Sequence, residues 1–133
     1  MSLFLVIAGF VGVLILFNTV INSIGNRGIA MVNAAAAQEM VKNTNLTIID
    51  VRTPQEYKQD HLKKARLIPA LEISGRLGEI ADLRDAPILL YCRSGHRSSI
   101  AAKVLKKGGF SRISNLQGGI TAWQEAGGAV TKK

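Results

Sequence analysis

Cys92 is the only cysteine in the chain. It stands where an apolar run, Ile88 to Tyr91, gives way to a helix-like stretch, and Arg93, Ser94, Gly95, His96 and Arg97 follow it. A lone thiol among apolar neighbours is ordinarily inert core. Here the adjacent guanidiniums, a glycine that relieves backbone strain and the amides of a short loop all favour thiolate, the nucleophilic form. That points to a reactive cysteine in an electropositive loop, with Arg93 and Arg97 adding charge beside it. Ser94 and Ser98 are placed to donate hydrogen bonds to sulfur or to cap the next helix, and His96 either tunes the local field or is simply exposed.

A nucleophile of this kind needs a rigid frame, and the flanking pattern supplies one. AAAAQEMVKN, from Ala34, consists of good helix formers. Leu46 to Val51 reads as a short buried strand. TPQEYKQ opens a helix with Thr53 as N-cap, Pro54 in the first position and Glu56 closing a capping box. A brief strand is expected over Ala65 to Ile68, and Leu71 to Leu83 has a helical rhythm interrupted by Gly75 and Gly78. ILLY, after Pro87, is a second buried strand. A helix follows over Ser98 to Lys107, stopped by Gly108-Gly109. Arg112 to Leu116 makes a last strand, and Gly118-Gly119 turns into a short helix around Trp123. This alternation predicts an α/β fold, a parallel sheet with helices on both faces. Ligands of such sheets bind beyond the carboxyl ends of the strands, where Cys92 falls.

The first part of the chain has a different character. Leu3 to Phe17 carries no charge, and the run stays mostly apolar to Ile24, although Asn18, Thr19, Asn22 and Ser23 weaken its last third. At about 1.5 Å per residue it is long enough for one transmembrane helix. A cleaved signal peptide fits less well: no basic residue precedes the run, and the alanines at 34–37 lie far beyond it. Residues 1–25 are therefore expected to be an anchor, 26–33 a linker and 34–133 the folded domain. Arg27 and Lys42, after the helix, favour a single-pass protein with a cytoplasmic catalytic domain. The lone cysteine excludes an intramolecular disulfide and fits a reducing compartment. The net charge of +8 suits small anionic substrates. Nucleic acid is not an expected partner, because aromatics are few and no basic stripe is interleaved with them.

CRSGHRS resembles the active-site loop of rhodanese-homology domains, the single-domain sulfurtransferases. IIDVRTPQEY resembles that family's D-V-R-x-x-x-E-Y segment, and NLQGGITAW its N-L-x-G-G-x-x-A-W ending. The likeness runs from about Ala34 to Val130. It implies a rhodanese-like sheet and thiosulfate sulfurtransferase chemistry. Cys92 would take the outer sulfur of a donor such as thiosulfate as a persulfide, and cyanide or a thiol would remove it. Arg93 and Arg97 would orient the donor and stabilise departing sulfite, with no metal or organic cofactor. Phosphatases sharing the fold space Cys and Arg as C-x5-R. Here Arg97 follows four intervening residues and Ser98 holds the phosphatase position, so the loop is sized for sulfur. An alternative is a membrane-tethered sulfur-delivery or docking module with little turnover of its own.

Three further residues are expected to support the site. Asp50 and Arg52 would organise the sheet edge by hydrogen bonds. His61 falls where the family often has G-H-I-P-G-A, but this chain reads DHLKKA. Lys63 and Lys64 replace the proline and second glycine there, and near a mouth they would attract anions.

Overall fold

A computed structural model describes residues 28–133. Five parallel strands form one sheet in the order β1-β5-β4-β2-β3. They are β1 Ile29–Val32, β2 Thr47–Asp50, β3 Arg66–Leu67, β4 Ile88–Tyr91 and β5 Ile113–Leu116. The helices are α1 Ala34–Met40, α2 Pro54–Gln59, α3 His96–Lys107 and α4 Gly119–Glu125, with two 3-10 segments, Ile73–Gly75 and Leu77–Leu83, before β4. Central β4 pairs with β2 (Thr47 to Ile88, Asp50 to Tyr91) and with β5 (Ile88 to Ile113).

The period-2 alternation of the strands divides the core. Ile49, Val51, Leu90 and Cys92 face Ala101, Ala102 and Leu105 of α3, together with Ile73 and Ile80 of the 3-10 segments. Ile48, Leu89, Tyr91 and Leu116 face Ala37, Ile120 and Trp123 of α1 and α4. Every residue of β4 is buried, because a central parallel strand is covered on both faces and needs no polar side. The α2 start forms as its residues predict: Thr53 accepts from the Glu56 amide, and the Glu56 side chain accepts from the Thr53 amide.

Two expectations are corrected. Residues 26–33 are not a plain linker, since Ile29–Val32 adds to the outer edge of β5 in register with Ile113–Leu116. Four residues are too few to show a period, yet they satisfy one whole edge of β5. The single-pass membrane location, with its membrane partner and cytoplasmic catalytic domain, does not stand either. Among the described residues no helix is long and apolar enough to cross a membrane. The 12 residues of α3 rise only about 18 Å against a hydrocarbon core of roughly 30 Å. The apolar run from 3 to 24 that suggested an anchor lies outside the described residues.

Candidate active site

Cys92 is the first residue past β4. After it the chain turns tightly and enters α3 at His96, two residues earlier than its sequence suggests. Gly95, at φ +103°, is the N-cap; this left-handed conformation is open to glycine at little cost. The turn curls the loop over the sulfur. The Gly95 amide donates to Cys92 Sγ at 3.1 Å and the Ser98 amide at 3.4 Å, and Ser98 Oγ lies 3.4 Å away. The Ser94 amide also acts on the sulfur. Burial pushes the Cys92 thiol up, but the Ser98 hydroxyl and the amides of Ser98, Gly95 and Ser94 outweigh it. The net shift is below the ordinary thiol value, toward thiolate. Only 1% of Cys92 is exposed, so the thiol lies beneath the loop rather than on its surface.

Ser98 is therefore part of the cradle rather than a cap. Its Oγ also sits 2.6 Å from Asn115 Oδ1 and 3.2 Å from the Gly95 carbonyl. Asn115 is fully buried on β5 and fixes the Ser98 side chain from below. Asn115 opens the NLQGGITAW motif, but nothing in the sequence assigned it a role; its contact with Ser98 appears only in the fold.

The Gly118-Gly119 pair is more than a turn. The Ile120 amide donates to the Cys92 carbonyl at 2.9 Å and the Thr121 amide to the Arg93 carbonyl at 3.2 Å. Gly119 adopts φ +61°, and a Cβ there would collide with those carbonyls. The start of α4 thus clamps the Cys92 loop from outside.

The two loop arginines part company. Arg97 makes a bidentate pair with Glu56, Nη1 to Oε1 at 2.7 Å and Nη2 to Oε2 at 2.9 Å. The Arg97 guanidinium, together with the Thr53 amide and hydroxyl, holds the Glu56 carboxyl down at about 2 despite partial burial. Arg97 is thereby tied to α2. Arg93 is exposed, and among the described residues no partner engages its side chain. It lines a polar recess of about 160 Å3 with Glu56, Gln59, Asp60, Thr121 and Gln124. His96 and Ser94 are exposed on the loop's outer side.

Asp50 and Arg52 form a buried pair beneath this recess. Arg52 Nη2 reaches Asp50 Oδ2 at 2.7 Å and the Asp60 carbonyl at 2.5 Å, and its guanidinium lies over the Tyr91 ring. They brace the β2–α2 connection. His61 does not join the cradle. It is buried and stacked on Tyr57 with ring centroids 3.7 Å apart, and its nitrogens meet the carbonyls of Tyr57 and Lys133. Lys63 and Lys64 precede β3, so they flank the end of the sheet where strands begin, away from Cys92.

This arrangement defines a class: an open parallel α/β domain that presents a buried cysteine in an amide-lined loop at a strand-to-helix junction. Residues 33–126 match the family described as Rhodanese-like domain, and the chain belongs to it. A sulfurtransferase of Allochromatium vinosum is 37% identical over 91 residues, covering 68% of this chain and 83% of that protein. A thiosulfate sulfurtransferase of Coxiella burnetii is 32% identical over 88 residues, covering 66% of this chain and 80% of that protein. The crystal structure of a rhodanese-related protein from Thermoplasma volcanium superposes with a TM-score of 0.70 at 29% identity, covering 78% of this chain and 99% of that one.

Proposed function

We propose that the chain is a thiosulfate sulfurtransferase in which Cys92 carries the transferred sulfur. The reading rests on the convergence of the Gly95 and Ser98 N–H groups on Cys92 Sγ at 3.1 and 3.4 Å. The names carried by the similar proteins from A. vinosum and C. burnetii support it. The Cys92 thiolate attacks the outer sulfur of thiosulfate. A new S–S bond forms, the old one breaks, and sulfite leaves with the bonding electron pair. The terminal sulfur of the persulfide is anionic and takes the place in the amide cradle that favours negative charge. Cyanide or a thiolate then attacks that sulfur, giving thiocyanate or a new persulfide and restoring the Cys92 thiolate.

The neighbours divide the remaining work. Arg93, free of protein partners among the described residues, meets the sulfonate oxygens at the lip. Arg97 holds the loop to α2 through Glu56, and Ser98 adjusts its hydroxyl between Asn115 and the sulfur. Asp50 and Arg52 act at one remove, by bracing the recess floor.

Purified protein incubated with thiosulfate should gain the mass of one sulfur atom and lose it to cyanide as thiocyanate, with Cys92→Ala doing neither. Equal thiocyanate from wild type and Cys92→Ala would remove this reading.

A further inference from the structure

A mostly apolar cavity among the described residues lies away from the cradle. It has a volume of about 320 Å3, is lined mainly by carbon, and has Val41, Leu46, Ile48, Leu62 and Trp123 as its apolar walls. Ligand pockets begin at roughly this size. None of residues 92–98 contributes to it. The Trp123 indole N–H is already committed to the Ala129 carbonyl at 2.9 Å, so the ring offers the cavity a surface and no free donor.

The rim is what makes the cavity unusual. Lys63 and Lys64 both line it, both are exposed, and among the described residues neither side chain has an ion pair or hydrogen bond. They occupy the centre of a tight turn closed by the Ala65 amide on the Leu62 carbonyl at 3.0 Å. Lys64 has φ +70° and is the only non-glycine described residue with positive φ. Turns with a left-handed third residue favour proline then glycine at these positions. Lys64 is thus held at a backbone cost, and both lysines, with Asn43 and Thr44, supply the polar part of a lining that is mostly carbon. Backbone strain of this sort persists where the strained residue has a task.

We propose that this cavity is a second ligand site for a small amphipathic carboxylate. The apolar body lies against half-buried Val41 and Leu46, above the nearly buried Leu62 and Trp123, and the carboxylate is held by Lys63 and Lys64. A compact polyanion is a poor occupant, because the lining supplies no arginine and is mostly carbon. A neutral hydrocarbon leaves the lysines unused. The site is separate from the sulfur chemistry, and its occupant does not compete with thiosulfate.

Trp123 is the only tryptophan in the chain, so its fluorescence reports on the cavity directly. Titration of the full chain with octanoate should give a saturable change. Octylammonium, of equal length and opposite charge, should bind at least about tenfold more weakly. Lys64→Gly relieves the turn while removing a charge, so it should melt at the same or a higher temperature yet bind octanoate more weakly, and Lys63→Gln with Lys64→Gly weaker still. Octanoate should leave the rate of Cys92 alkylation unchanged. Equal affinity for the two amphiphiles would overturn the proposal, as would wild-type octanoate binding by the double variant or protection of Cys92 by octanoate. None of these results would touch the persulfide reading, which is tested at Cys92.

Discussion

Glu56 uses one carboxylate for two tasks: it closes the capping box at the start of α2 and grips Arg97 of the nucleophile loop through two hydrogen bonds of 2.7 and 2.9 Å. The pair joins segments 41 residues apart in sequence. Replacing Glu56 by Gln keeps an acceptor for the Thr53 amide but removes the charge. A loss of about 1 kcal/mol in unfolding free energy is expected, with a larger fractional loss in thiosulfate turnover as the loop loosens. Thermal melts and kcat/KM measured on the same preparation check it; an unchanged kcat/KM would show that the pair is purely structural.

The same pair has a pH signature. The folded pKa of Glu56 is lowered from 4.5 to about 2. A depressed carboxyl contributes stability that is present above its unfolded value and fades as pH falls toward its folded value. Wild type should therefore lose stability between about pH 4.5 and 2 more steeply than Glu56→Gln. Parallel denaturant titrations at several acid pH values would reveal the difference, and identical slopes would remove Glu56 from the account.

Cys92 should alkylate with a midpoint below that of an ordinary thiol, since hydrogen bonds outweigh burial there. Ser98→Ala removes the hydroxyl donor but keeps the Ser98-position amide, so the midpoint should rise without the protein unfolding. Iodoacetamide rates followed across pH measure both, and no change on substitution would assign the depression to the amides alone.

Gly119→Ala places a Cβ against the carbonyls of Cys92 and Arg93 in a left-handed backbone. It should cost roughly 2 kcal/mol or more and disturb Cys92 reactivity as well as melting. A well-folded, fully active variant would mean that the α4 start does not clamp the loop.

Arg93→Ala should raise KM for thiosulfate with a smaller change in kcat, because Arg93 lies free at the lip, whereas Lys106→Ala on the far end of α3 should change neither. Similar losses from both would indicate that the positive charge acts diffusely.

The local instructions were readable in one dimension. Thr53, Pro54 and Glu56 encode a helix start in four consecutive residues. Ile88 to Tyr91 encode a strand buried on both faces, and Gly95 permits the left-handed turn that ends the loop and starts α3. Each of these depends on near neighbours, and each forms. Hydropathy over residues 3–24 suggested a membrane location, which the described fold does not support. Tertiary structure decided the rest, because it sets which distant groups meet. Parallel pairing recruits Ile29–Val32 as an edge strand although four residues show no period. The Glu56–Arg97 pair ties the α2 start to the first turn of α3 across 41 residues of sequence. The crossover from α2 into β3 carries Lys63 and Lys64 to the opposite end of the sheet from Cys92. Spacing along the chain can place a charge on a loop, but only the folded path decides what that charge faces.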